Sequence, residues 1–153
     1  MTKFPIKITY GIVALLELAL NRENPPLQAK LIAQRQEIPA RFIEQILQAL
    51  KQAGIVSSLR GAQGGYSLSQ DPTDISLADI VQAMNGPSAS AVASTNGSSN
   101  GHGTPRKIQE MLLFDIWQKI QSAELAILSS VSLQTLVDQY QRLEHQGSLM
   151  YHI

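Results

Sequence analysis

Between Leu27 and Tyr66 the chain carries a pattern that few folds accommodate: two apolar periodicities split by a tight turn, then two strand-like runs split by glycines. Leu31, Ile32 and Ala33 form a short apolar face ahead of the turn Gln36-Glu37-Ile38-Pro39. Beyond Pro39, the residues Phe42, Ile43, Ile46, Leu47, Leu50 and Ala53 recur at helical spacing, and Gly54 supplies the left-handed residue that ends such a helix. The opposite face holds Arg41, Glu44, Gln45, Gln48, Lys51 and Gln52. Carboxamides and a guanidinium pair bidentately with adenine and guanine edges, so this face suits a major groove.

A hairpin follows at once. Ile55 to Leu59 has strand composition, Arg60-Gly61-Ala62-Gln63-Gly64-Gly65 is a glycine-rich turn, and Tyr66-Ser67-Leu68 returns. Glycine-rich loops can also cradle phosphate, but that requires a strand before and a helix after. Here strand follows strand, which argues against a nucleotide site. Two helices across a tight turn with a hairpin behind them predict a winged helix-turn-helix.

The residues carrying this pattern also resemble a known group. Ile32-Ala33-Gln34-Arg35-Gln36, Phe42-Ile43-Glu44-Gln45-Ile46-Leu47, Leu50-Lys51-Gln52-Ala53-Gly54-Ile55-Val56 and Arg60-Gly61-Ala62-Gln63-Gly64-Gly65-Tyr66 resemble the IscR/NsrR/CymR group of bacterial transcription regulators, the Rrf-type family. The likeness continues through Ile75 to Val81 and, more weakly, to the last helix. It implies that Pro39, Arg41 and Glu44 face bases, that Lys51 holds backbone phosphate, and that Arg60, beside Gly61 at the wing tip, enters the minor groove. Gln45 and Gln48 join them by position on the helix, and Gln28, at the start of the motif, completes the DNA-binding set. Each has a plainer reading: Arg41 and Glu44 could pair on the helix surface, worth only ~0.2–0.5 kcal/mol, and Arg60 could be a solvated turn residue. Two departures stand out. Gln28 replaces the usual Ser or Thr cap, and Glu37 occupies a turn position where relatives place glycine.

Charge sorts along the chain. The net charge is zero, yet residues 1–70 hold eight Lys/Arg against four Asp/Glu, and residues 71–153 hold four against eight. The positive excess therefore accompanies the motif. There is no cysteine, which removes disulfides, thiolate catalysis and Cys-ligated metal and is consistent with the cytoplasm. Lys3 and Lys7 ahead of Gly11 to Leu16 mimic a signal peptide, but Glu17 breaks the apolar run and no cleavage site follows. No stretch is long enough to span a membrane.

The remaining segments read in order. Ile6 to Leu20 is a helix packed through Ile8, Ile12, Leu15, Leu16 and Ala19, ended by Asn21 and Pro25-Pro26. Asp71 to Asp74 is a loop, and Ser76-Leu77-Ala78-Asp79 opens a helix in capping-box form that stops at Asn85-Gly86-Pro87. The composition then turns to Ser, Gly, Ala and Asn, which reads as a linker over residues 86–104. His102 within it, and His145 and His152 near the end, lack ligand spacing and read as surface residues.

The longest helix runs from Pro105 to about Ser130. One stripe is Ile108, Met111, Leu112, Ile116, Ile120, Ala123 and Ile127; another is Leu113, Trp117, Leu128 and Val131. So broad an apolar circumference needs two partners, and a second copy of the chain is the natural one. Either that copy or the final helix, Leu133 to Leu143, could cover the second stripe; the family resemblance favours the copy, with Ile108, Met111, Leu112, Ile116, Trp117, Ile120 and Ile127 as the dimer seam.

These readings give a mainly α chain: a winged helix-turn-helix over 1–85, a linker over 86–104, dimerisation helices over 105–145 and a tail over 146–153. The expected function is a homodimeric regulator, a repressor by expectation, binding double-stranded DNA at a near-palindromic operator. The alternative is a protein-interaction module using the same helix. No nucleophile–base pair or metal spacing supports an enzyme. The family's iron–sulfur members bind a cluster through three cysteines and a further ligand, commonly His. If Trp117 matches the tryptophan that these relatives carry early in the long helix, the resemblance implies that the last Cys and the His fall on Met111 and Phe114. The expectation is therefore no cofactor, with a small molecule or a protein as effector.

Overall fold

The computed structural model describes residues 4–86 and 107–150. Lys3, most of the Ser/Gly-rich stretch with His102 and Pro105, and the last three residues with His152 lie outside the described residues. The order is α1 (Ile6–Leu20), α2 (Ala29–Gln36), α3 (Ala40–Gln52), β1 (Val56–Leu59), β2 (Gly65–Leu68), a 3-10 turn (Pro72–Asp74), α4 (Leu77–Asn85), α5 (Ile108–Ser130) and α6 (Leu133–Met150).

α1 is the post around which the body packs, in contact with α2, α3, α4, α6 and β2. Its buried line is Ile8, Gly11, Ala14, Leu15, Leu18 and Ala19, whereas Ile12 and Leu16 are only half-buried. Periodicity in large apolar residues misses this rotation, because the closest approaches are made by small residues. A Cβ on Gly11 would lie 3.1 Å from Met84 Sδ, so α4 rests closely on α1 at this glycine, and a larger residue would require the Met84 side chain to shift. Glu17, which breaks the apolar run, accepts from Arg35 Nη1 at 3.3 Å and from Gln36 Nε2, clamping the end of α2 to α1.

The turn between α2 and α3 closes without glycine. Glu37 adopts φ 53°, ψ 37°, and the Ile38 N–H donates to the Ala33 carbonyl at 3.0 Å. Buried Ile38 then plugs the helix end into the core. α3 buries Ile43, Ile46, Leu47 and Leu50, but two residues assigned to that stripe lie off it. Phe42 is 51% exposed and Ala53 is exposed. One residue turns a helix by ~100°, so Phe42 sits on the flank beside the Ile43 line, and Ala53 is the C-cap. Leu31 likewise faces outward, while Ile32 and Ala33 are buried. Gly54 has φ +78°, as its position past the helix requires.

β1 and β2 pair antiparallel in the register Val56 with Leu68 and Leu59 with Gly65. Leu27 adds a third short rung, its N–H donating to Tyr66 O at 2.9 Å and its carbonyl accepting from Tyr66 N at 2.7 Å. The hairpin is thereby tied to the residue that precedes α2. Asp71 caps the 3-10 turn, accepting from both the N–H and the hydroxyl of Thr73, and pairs with Arg22 at 3.0 Å. These bonds hold its carboxyl near a pKa of about 2. At α4 the capping box is complete: Asp79 N–H donates to Ser76 Oγ at 3.1 Å and Ser76 N–H to Asp79 Oδ2 at 2.9 Å.

Among the described residues, backbone hydrogen bonds join α5 to the body at its far end. The Leu77 N–H donates to Val131 O at 2.9 Å and the Leu133 N–H to Ile75 O at 2.8 Å, pinning the α5–α6 corner to the start of α4. α6 then turns onto α1 and the 3-10 turn, burying Leu133 and Val137. Of the second stripe of α5, Leu113 and Trp117 stay exposed while Leu128 is buried and Val131 half-buried. α6 also continues to Met150, well past Leu143, through residues read from sequence as a tail. Gly147 is the sole poor helix former there, and one glycine costs only ~1 kcal/mol.

Candidate nucleic-acid interface

The helical stripe that anchors α3 in the core fixes what its other side presents. With Ile43, Ile46, Leu47 and Leu50 inward, Arg41, Glu44, Gln45, Gln48 and Lys51 are all exposed together along one side of α3. Pro39 is the N-cap and is also exposed. No ion pair joins Arg41 to Glu44, and neither has a side-chain partner among the described residues. Gln28 caps α2 from an extended conformation with no side-chain hydrogen bond, so its carboxamide faces solvent.

The wing tip carries Arg60 and Gly61, both exposed. Two of its glycines, Gly64 and Gly65, are required by close approach. A Cβ on Gly64 would sit 2.1 Å from Leu59 O, and one on Gly65 (φ +154°) would sit 2.5 Å from Leu27 O. These contacts hold the tip in a tight fold against the root of α2 and leave Arg60 on its outer edge.

Ion pairing sorts the cations of the body. Arg22 is committed to Asp71 and Arg35 to Glu17, both structural ties between elements. Lys7, Lys30, Arg41, Lys51 and Arg60 have no carboxylate partner among the described residues. Sequence gives no means of telling the two groups apart, because each tie spans 18 or more residues. Unpaired cations flanking exposed carboxamides, with one more on a projecting hairpin, are the equipment for phosphate contact and base-edge reading.

α5 presents a different chemistry. Ile108, Met111, Leu112, Ile116, Trp117, Ile120 and Ile127 are each more than half exposed, as are Leu113 and Leu125; of the helix, Leu128 alone is buried. A patch of this extent exceeds what a soluble surface ordinarily leaves open.

The residues at the family's cluster position do not fit iron. Cluster iron needs thiolate sulfur with occasional imidazole nitrogen, and the sequence holds no cysteine. Met111 and Phe114, which the Trp117 correspondence expected from the family resemblance would set in place of the last Cys and the His, are a thioether and a phenyl ring, both exposed. Among the described residues no three His, Asp or Glu gather as a metal site.

Fold and surface together define a winged-helix DNA-binding transcriptional regulator. The family profile named Rrf2, described as iron-dependent transcriptional regulator, matches residues 5–139, and the chain belongs to that family, one of regulators and not enzymes. It is 45% identical over 82 residues to the Synechocystis HTH-type regulator slr0846, spanning 54% of this chain and only 56% of that protein. It is 29% identical over 149 residues to the HTH-type transcriptional regulator CymR of Bacillus subtilis, covering 97% of this chain and 99% of that one. The solved structure of that CymR, described as the global cysteine regulator, superposes with a TM-score of 0.71 at 29% identity, over 91% and 98% of the two chains. IscR of T. potens superposes at 0.69, also at 29% identity, over 91% and 88%. No helix among the described residues is long and apolar enough to cross a membrane.

Proposed function

We propose that two copies of the chain associate through α5 and bind a near-palindromic operator as a repressor. The observation that carries this reading is the exposed, unpaired row on α3 together with Arg60 on the wing. In the proposed complex Pro39, Arg41, Glu44, Gln45 and Gln48 line the base-reading side of α3, Lys51 and Gln28 lie toward phosphates, and Arg60 with Gly61 enters the minor groove. Two recognition helices on a twofold axis enter successive major grooves ~34 Å apart. The Ile108–Ile127 stripe of α5 supplies the twofold seam.

No iron–sulfur cluster is part of this reading, since thiolate ligands are missing from the sequence. The signal is a small molecule or a partner protein. A cleft of about 770 Å³ supports the first: it lies between α1, α3 and α4, is lined by Lys7, Gln52, Gln70 and Asn85, and reaches Gly86, where the Ser/Gly-rich stretch begins. The protein reads DNA in the cytoplasm on this account.

The test is a gel shift on the DNA upstream of the chain's own gene, repeated across a salt series. Counterion release makes the affinity for DNA fall steeply with salt, by roughly 0.9 in log–log slope per phosphate contacted. Binding that ignores salt, or that favours a protein over DNA, would assign the same surface to a protein-interaction module.

A further inference from the structure

A cleft of about 540 Å³ separates the start of α2 from the wing loop. Pro25 and Pro26 form one end, Lys30 and Gln34 project from the α2 side, and Ala62 and Gln63 from the wing side. No acidic residue lines it. Lys30, Gln34 and Gln63 are exposed, and none has a side-chain hydrogen bond or ion pair among the described residues. The two walls are fixed relative to one another. Leu27 and Tyr66 exchange a pair of backbone hydrogen bonds, and the Gly65 backbone lies against Leu27 too closely to admit a Cβ. A cation and carboxamides therefore face a shared space of set width, at the root of the hairpin that carries Arg60.

We infer that this cleft grips one backbone phosphate of the bound duplex, with the Lys30 ammonium as its counter-charge and the Gln63 carboxamide as a hydrogen-bond donor from the wing. The inference rests on the DNA-binding reading and adds residues outside the α3 face. A Lys without a competing carboxylate attracts an anion, and a carboxamide N–H donates to phosphate oxygen without distinguishing bases. Because the walls belong to the helix-turn-helix and to the wing, one phosphate held between them sets the depth of Arg60 relative to α3. Lys30 and Gln63 are positioning residues. They raise affinity for every sequence and choose none.

The experiment measures binding of the full chain to a duplex carrying its selected site and to a scrambled duplex, each across a salt series. Lys30→Ala should weaken both by a similar factor, roughly three- to tenfold, and lower the salt slope by about one per bound chain. Lys30→Arg should restore the slope, and Gln63→Gly should weaken both duplexes with the slope unchanged. A methylphosphonate scan of the selected duplex should find one position per half-site at which charge removal costs wild type affinity but costs Lys30→Ala nothing. If wild type binds and Lys30→Ala matches it in affinity and slope, the cleft does not hold phosphate, while the DNA reading stands. If wild type shows no salt-dependent binding to either duplex, the DNA reading itself fails. A Lys30→Ala loss confined to the selected duplex would make Lys30 a base-reading residue and overturn the positioning role.

Discussion

The winged body and the long helix hold the same kinds of side chain under opposite conditions. Leu15, Leu47, Leu50 and Ile80 have no exposed surface, whereas Leu112, Leu113, Ile116 and Trp117 are more than half exposed. In the body one apolar line per element meets lines from its neighbours. In α5 the apolar residues from Met111 to Trp117 point in nearly every direction around the helix, with Asp115 alone interrupting them. The body therefore closes its core within one chain. α5 carries burial that a single chain does not use, and the proposed dimer is what gives it a purpose.

The largest effect is expected at the seam. A charge left buried without compensation costs ~3–5 kcal/mol, so Ile116→Glu or Ile120→Glu should give folded monomers that lose tight operator binding at the same step. Sizing by light scattering, with circular dichroism for folding, checks it; a folded variant that stays dimeric would move the interface off this stripe. Next in size is one substitution made in both regions. Leu47→Ala should cost ~2–5 kcal/mol in urea unfolding, while Leu113→Ala in the monomeric Ile116→Glu background should change it by less than ~0.5 kcal/mol. Similar losses at both positions would mean that α5 is packed within its own chain.

Much of the body was legible in the sequence because its determinants are local. The Ser76–Asp79 capping box, the stop at Gly54, the hairpin and the α3 stripe all arise from residues within a few positions of one another. What escaped depends on distant partners or on small residues. Gly11 and Ala14 belong to the buried line of α1 because α4 and other elements press there, and nothing in the local pattern marks them. Phe42 fits helical spacing yet sits one step around from the core line. Glu17 and Arg35 are 18 residues apart and form a pair only in the fold. For the interface, the α3 row followed from the stripe opposite it, but Lys30 and Gln63 are 33 residues apart in sequence and meet at one cleft only through the Leu27–Tyr66 rung.

Two smaller tests sharpen the account of the body. Glu37 holds a left-handed conformation that costs a non-glycine residue ~1–2 kcal/mol. Glu37→Gly relieves that strain against an entropic loss of ~0.4–1 kcal/mol, so the urea midpoint should rise slightly, by up to ~1.6 kcal/mol in stability. A lower midpoint would show that the glutamate side chain contributes more than its strain takes away. The smallest effect concerns Asp71, whose pKa is lowered to about 2 by hydrogen bonds from Thr73 and by Arg22. A depressed folded-state pKa contributes stability that is present above the ordinary carboxylate pKa and lost as pH falls toward 2. Asp71→Asn should flatten the acid limb of the stability profile between about pH 4 and 2 and leave its neutral limb parallel to wild type.

The most direct test of the central claim is selection of bound sites from a random pool of duplex DNA, performed in parallel with wild type and Glu44→Ala. Wild type should enrich an inverted repeat whose half-sites lie about one helical turn apart. Glu44→Ala should enrich the same repeat with preference relaxed at one base pair per half-site, a loss worth ~1–3 kcal/mol of discrimination there. A pool that returns no inverted repeat, or the same fully specified repeat from both proteins, would contradict a dimer that reads DNA through α3.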